Sequence, residues 1–279
     1  MRTWYKYLVV EDDLSMRLEK DEGSADHQKT MGGYLTDRGY ASKEDFFQTY
    51  LLGAERRYRC YHEALKECLK KEEMGLSIGS GRCSNELFLI EEGYNIVCSD
   101  LEHYCQDKTL SLFQNMKFVR YDVMEKPFAR QFDYILSLNV LYLFSAEQLY
   151  KIFSHVAESL KPGGRFIVDP GGAEDNVYTT LIDNWGVRWD AHVQAFLKTL
   201  LKGQKKRVIK KHHGYRYSNK ELIAIAQKNG FQFEGLKTKD YVTELKDRLL
   251  LFHKLPEAVV QLLGYSIPYV RLFSFRKTQ

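Results

Sequence analysis

Between residues 74 and 170, short apolar runs alternate with segments of helical period, and that alternation predicts the architecture. Positions 76–78, 94–99, 117–121, 132–138 and 165–168 read as strands. Positions 85–92, 101–113 and 146–160 read as helices, the last with Leu149, Ile152, Phe153 and Val156 on one face. Strands separated by helices imply right-handed crossovers and a parallel sheet. Ligands of such sheets sit at the carboxyl ends of the strands. Asp100, Asp122, Asn139 and Asp169 fall at those ends.

The flanking regions follow other patterns. Residues 1–73 are charged and rich in tyrosine, and Phe46, Phe47, Tyr50, Leu51, Ala54, Tyr58, Tyr61, Leu65 and Leu69 form a helical apolar stripe. Gly23 and Gly32-Gly33 interrupt any single long helix. An N-terminal helical cap over 1–73 is therefore expected, followed by one unit over 74–279. Residues 170–216 leave the alternation, with a helical pattern at 189–201 and a basic run containing Lys202, Lys205, Lys206, Arg207, Lys210 and Lys211. They read as an insertion after the fifth strand, the basic run as a solvated hairpin or helix face or as a surface for an anionic acceptor. Ser218-Asn219-Lys220-Glu221 has capping-box spacing, and its helix ends at Gly230. Positions 231–236 and 270–275 are late strands around a helical 255–263, bringing the sheet to seven.

Composition narrows the class. The chain has 279 residues, 44% hydrophobic and 28% charged, as ordinary globular proteins do. A net charge of +4 is too small to argue for a nucleic-acid partner. The five cysteines (Cys60, Cys68, Cys83, Cys98, Cys105) include no CxxC pair and are expected as reduced thiols, with no metal site. The first ten residues hold only a three-residue apolar run before Glu11-Asp12-Asp13, unlike a signal peptide, and no stretch reaches the roughly twenty apolar residues of a membrane span. A cytoplasmic location is expected.

The turn Ile78-Gly79-Ser80-Gly81, followed by Val97-Cys98-Ser99-Asp100, carries the candidate chemistry. Glycines permit a sharp turn and close backbone approach to a ligand. A carboxylate at the next strand's end is placed to grip a ribose diol. Asp122 offers a second acceptor, for an adenine amino group. Either aspartate equally serves as a cap of the following segment. Leu101 offers a flat apolar surface to a base, or is ordinary core.

The order Leu76-Ser77-Ile78-Gly79-Ser80-Gly81, Asp100, Asp122-Val123, Phe132 to Leu141, and Leu160-Lys161-Pro162-Gly163-Gly164-Arg165-Phe166 resembles class I S-adenosylmethionine-dependent methyltransferases. The resemblance covers roughly 74–170 and, more weakly, the chain from Ser218 onward. It implies a Rossmann-like, doubly wound, mainly parallel α/β sheet and S-adenosyl-L-methionine as cofactor. Gly79, Ser80 and Gly81 would lie against the methionine part, Asp100 would hold the ribose hydroxyls, Asp122 the adenine amino group and Val123 the ring, with Asn139 beside the sulfonium. Two positions depart from the family's pattern. Ser77 stands where many members carry an acid, and Cys83 where many carry a third glycine.

Methyl transfer from a sulfonium depends mainly on positioning and exclusion of water. A general base is needed only for a hydroxyl or a protonated amine. Tyr142, His192, His212 and His213 are candidates by placement, against readings as a core aromatic and as solvated histidines; His155 is expected to be structural. A small-molecule acceptor is expected, a polar small or medium metabolite such as a sugar or glycan precursor. The alternatives are an NAD-dependent oxidoreductase, which the near-fingerprint Gly79-x-Gly81-x-x-Ser84 with Asp100 suggests, a nucleic-acid methyltransferase, and a binding protein without turnover.

Overall fold

The computed structural model describes residues 1–11, 40–49, 56–103, 111–129, 131–203 and 205–278. Gly23, Gly32-Gly33, Tyr50, Leu51, Ala54, Cys105 and most of the expected 101–113 helix lie outside them, as does the side chain of Lys202.

The chain opens with a strand, β1 (Arg2–Glu11), and the short helices α1 (Lys43–Phe47) and α2 (Arg56–Lys66). The alternating unit follows: β2 (Met74–Ile78), α3 (Ser84–Glu91), β3 (Asn95–Asp100), β4 (Lys117–Arg120), β5 (Phe132–Leu138), α4 (Ala146–Ser159) and β6 (Leu160–Asp169). Then come α5 (Val177–Leu181), α6 (Val187–Lys202), β7 (Lys206–Arg216), α7 (Asn219–Lys228), β8 (Phe231–Lys239), α8 (Thr243–Lys246), α9 (Leu250–His253), α10 (Glu257–Gly264) and β9 (Val270–Lys277).

Among the described residues the main sheet has seven strands in the order β4-β3-β2-β5-β6-β9-β8. Neighbours from β4 to β6 are parallel, and β9 runs antiparallel to both β6 and β8. Alternate residues of β5 feed opposite faces. Tyr134, Leu136 and Leu138 pack with Phe46, Leu87 and Phe88 from α1 and α3, whereas Ile135 packs with Leu149, Phe153 and Leu222 from α4 and α7. Burial on both faces explains the near-continuous apolar run 132–138. The capping boxes that start α4 (Ser145 with Gln148) and α7 (Ser218 with Glu221) both form.

Two expectations are corrected here. Arg2–Glu11 is a strand and not part of a helical cap, and the basic run from Lys206 onward is its antiparallel partner β7 and not a hairpin of its own, while Lys202 ends helix α6. The two make a separate ribbon. The aromatic and β-branched residues of 2–11 favour extended backbone. Their partner lies about 200 positions away, as the pairing Glu11↔Lys206 shows, so no turn marks the pair. A buried ion cluster pins the ribbon to the rest. Arg216 Nε donates to Asp183 at 2.7 Å and its NH2 to Glu244 at 2.5 Å; Arg248 reaches Asp183 at 2.7 Å and Arg2 reaches it at 2.8 Å. The Trp4 ring lies under Arg216 at 4.0 Å.

Helix α6 packs on the ribbon through Ala191 and Ala195, with Trp189, Phe196 and Leu200 facing outward. Among the described residues no helix is long and apolar enough to cross a membrane.

Candidate active site

The site lies at the carboxyl ends of β2, β3, β5 and β6. Past Ile78 the chain turns through Gly79 (φ 68°), Gly81 (φ 54°) and Cys83 (φ 58°), all left-handed, before α3 begins. A Cβ at Gly79 would stand 2.7 Å from Val140 Cγ2, so that position needs glycine for space as well as for φ. Gly79→Ala is expected to cost about 1–3 kcal/mol of stability and to displace the turn; urea denaturation reads the cost, and an unchanged midpoint would contradict it. Nothing lies within 4 Å of a Cβ built at Gly81, which leaves open space beside the turn. Cys83, fully buried, adopts the backbone conformation a glycine would take without strain.

Asp100 organises this turn. The Gly81 N–H donates to its Oδ2 at 2.8 Å and the Leu101 N–H to its Oδ1 at 2.7 Å. The Gly81 N–H is therefore taken up inside the protein instead of facing a ligand. Each carboxylate oxygen keeps further acceptor capacity, on two atoms held at fixed separation. Burial raises the Asp100 pKa, opposed by the two N–H donors. Leu101 is 43% exposed and so is not core; it leaves an apolar surface beside the carboxylate.

A residue that sequence reasoning missed completes the turn. Ser77 donates to Glu86 Oε1 at 2.6 Å, and Glu86, at 2% exposure, has no hydrogen-bond partner for Oε2. Burial pushes its carboxyl up to about 7 against the Ser77 bond, with the charge of Asp100 adding to the rise. An acid thus stands beside position 77, contributed by α3 nine positions on. The available signal was the helix itself: Leu87, Phe88, Leu89 and Ile90 are buried all round it, so an acid in its first turn is buried too.

Asp122 accepts from the Met124 N–H at 2.7 Å, the capping geometry anticipated as its alternative. Val123 is buried, and its carbonyl meets His155 Nδ1 at 2.6 Å, so His155 ties α4 to this loop. Asn139 is left-handed (φ 59°) and donates its N–H to the Asp169 carbonyl at 2.9 Å. Asp169 is buried and accepts from the N–H groups of Gly171 and Arg271, a purely internal arrangement. Burial pushes it up to about 6.

The ribbon covers this end of the sheet. Tyr142 follows β5 in a single 3-10 turn, with its N–H donating to the Pro170 carbonyl at 2.7 Å. Its ring meets Trp4 at 5.7 Å and His213 at 5.1 Å, and those two lie 4.4 Å apart. His213 is the extra residue of a bulge, since Trp4 pairs with Gly214 and Tyr5 with His212. A bulge re-aims a side chain, here toward Tyr142. His212 is exposed and meets the rings of Tyr5 and Tyr215, while His192 is exposed on α6. Of the four candidate bases the structure brings together Tyr142 and His213. Burial pushes the Tyr142 hydroxyl up to about 12, against the pull of Arg57.

A glycine turn, a carboxylate with acceptor capacity to spare and strand ends under an aromatic roof share one end of this α/β sheet. Dinucleotide-binding sheets carry the order 3-2-1-4-5-6 with parallel strands; here the antiparallel β9 intervenes between β6 and β8. A family model described as a methyltransferase domain matches residues 52–235, and the chain belongs to that family. Among solved structures it is similar to magnesium protoporphyrin IX methyltransferase from Synechocystis PCC 6803 with bound S-adenosylhomocysteine (14% identity, TM-score 0.50, covering 95% of this chain and 100% of that one). It is also similar to a putative sarcosine dimethylglycine methyltransferase from Galdieria sulphuraria (17% identity, TM-score 0.50, 80% and 85% covered). At such identities the likeness is one of fold. No curated protein matches the sequence.

Proposed function

We propose that this methyltransferase transfers the methyl group of S-adenosylmethionine to a polar small or medium metabolite, sugar or glycan precursors among them. The observation that carries this reading is the pairing of two carboxylates around one glycine turn, one of them with an orphaned oxygen. The residues present fit the cofactor's chemistry. Asp100 offers two acceptors to vicinal hydroxyls, Leu101 an apolar face to the base, and Asp122 and Val123 the next strand's end. Glu86 offers a buried, unpartnered oxygen to an ammonium group, a charge pairing of the kind buried carboxylates require. The cofactor supplies an activated methyl on a sulfonium.

The chain's own contribution is then placement and dryness. Asn139, Tyr142 and Gly171 crowd together where β5 and β6 end: a Cβ at Gly171 would stand 2.8 Å from Asn139 Oδ1. Tyr142 stays protonated at neutral pH, because its hydroxyl is pushed up to about 12. It acts as a hydrogen-bond donor that orients the acceptor. His213, in contact with it, takes the proton when the acceptor is a hydroxyl. The ribbon and the 170–216 insertion form the acceptor side of the unit.

Isothermal titration with S-adenosylhomocysteine tests the reading: micromolar binding is expected, and binding of NAD in its place would refute it. Glu86 adds a signed pH effect. Its carboxyl titrates at about 7 in the free protein, and an ammonium partner lowers that value, so binding just below pH 7 is expected to release a proton and to strengthen as pH rises. In the free protein the sign is opposite for stability. From its ordinary 4.5 up to about 7 the folded state keeps a proton the unfolded chain has lost, so this group's contribution falls as pH rises. Calorimetry in two buffers of different ionisation enthalpy reads the proton count, and Glu86→Gln should abolish it. Equal proton release in the variant would exclude Glu86.

A further inference from the structure

A cavity of about 450 Å³ opens between the start of α2 and the helices α8 to α10, lined by Arg56, Arg57, Lys246 and His253 together with Asp247 and Glu257. Its charges do not cancel. Arg56 is in contact with Glu257, which neutralises that carboxylate. Arg57 and Lys246 then face one other lining carboxylate, Asp247. A further cation stands nearby. Lys6 of β1 feels the charges of this lining: burial lowers its pKa, the charge of Arg57 lowers it further and Asp247 partly restores it.

The cavity adjoins the site. Arg57 donates to the Tyr269 hydroxyl at 3.3 Å, and Tyr269 directly precedes β9. Because β9 is antiparallel to β6, its start lies at the carboxyl end of β6. The charge of Arg57 is also felt by Tyr142 under the ribbon. A cation-rich hollow beside the reacting end of the sheet has one natural complement. A guanidinium and an ammonium on one wall bind carboxylate or phosphate oxygens through charge-assisted hydrogen bonds, which a neutral acceptor cannot make. The volume suits a metabolite-sized ligand.

We propose that the methyl acceptor carries an anionic group, carboxylate or phosphate, seated in this cavity on Arg57 and Lys246. The proposal rests on the methyltransferase reading above and adds the substrate's charge class to it.

Phenyl phosphate, benzoate and the neutral benzyl alcohol serve as probes, each titrated by thermal melting with and without saturating S-adenosylhomocysteine. At least one anion should raise the melting temperature and the alcohol should not; protection by phenyl phosphate alone marks a phosphorylated acceptor, by benzoate alone a carboxylated one. Arg57→Gln/Lys246→Gln should raise the half-saturating anion concentration about tenfold or more, as expected for losing charge-assisted bonds, with S-adenosylhomocysteine affinity unchanged. Lys246→Gln alone gives the comparison if the double variant melts lower. Protection by benzyl alcohol equal to that by the anions, no protection by either anion, or unchanged half-saturation in the variants overturns the proposal. S-adenosylhomocysteine binding is read separately in every protein. Its absence would count against the function proposed above, while anion protection, measured without it, would still decide the cavity.

Discussion

Asp100→Ala is expected to weaken S-adenosylhomocysteine binding by about a hundredfold or more without unfolding the protein. Two charge-assisted hydrogen bonds to vicinal hydroxyls are each worth about 1.5–3 kcal/mol, and alanine removes both. It also frees the Gly81 and Leu101 N–H groups that the carboxylate holds at 2.8 and 2.7 Å, so the glycine turn loses its anchor. Stability should change much less. Burial disfavours the Asp100 charge by more than those two donors return, as the raised pKa shows. Removing it therefore relieves one cost while adding another. Calorimetry gives the affinity and a thermal melt gives the fold; full-strength binding by a folded variant would remove Asp100 from the site.

The largest loss of stability is expected from Arg216→Ala. The guanidinium is buried and carries Asp183 and Glu244, both also buried. Burial alone would lower its pKa, but Glu244 and Asp183 more than reverse that, so the cation is held above its ordinary range. Alanine would leave two buried carboxylates sharing Arg248 and Arg2, and breaking a buried pair by deleting one partner costs about 3–5 kcal/mol. The same change removes the cation over the Trp4 ring. Trp4 is 8% exposed whereas Trp185 and Trp189 are 74% and 69% exposed, so a red shift of the tryptophan emission would report the roof loosening. Urea denaturation that places the variant within about 1 kcal/mol of the wild type would contradict the pairing argument.

What the sequence made legible follows the range of the interactions involved. The stretch 132–138 was readable residue for residue because β5 is buried on both faces, and a run of apolar residues is the direct imprint of that environment. The Ser218 box was readable because its two bonds span only three positions. The glycine turn and Asp100 were recognisable as a pair for a different reason, each lying at the end of one of two successive strands. Their mutual hydrogen bond was not, since the spacing alone did not tell whether the Gly81 N–H faces a ligand or the carboxylate. Glu86 escaped because an acid in the first turn of a helix is ordinarily a solvated partner of the helix dipole; only the burial of α3 on all sides makes it otherwise. The ribbon escaped altogether. Lys206, Lys210 and Lys211 mask a strand whose partner, Arg2–Glu11, is remote, and charge read locally suggested solvent where the fold puts pairing. The convergence of Tyr142 with His213 depended on that unseen ribbon, so four candidate bases could not be narrowed to two before the pairing was known.

The remote pairing of β1 also orders the events of synthesis. The first strand leaves the ribosome long before Lys206–Arg216 exists, and its lock on Arg216 waits for Glu244 and Arg248. The parallel strands β2 to β6 are all made in that interval. A nascent chain can therefore lay down its glycine turn and the parallel strands around it before the ribbon over them can form, and that cover locks only once Glu244 and Arg248 have been made.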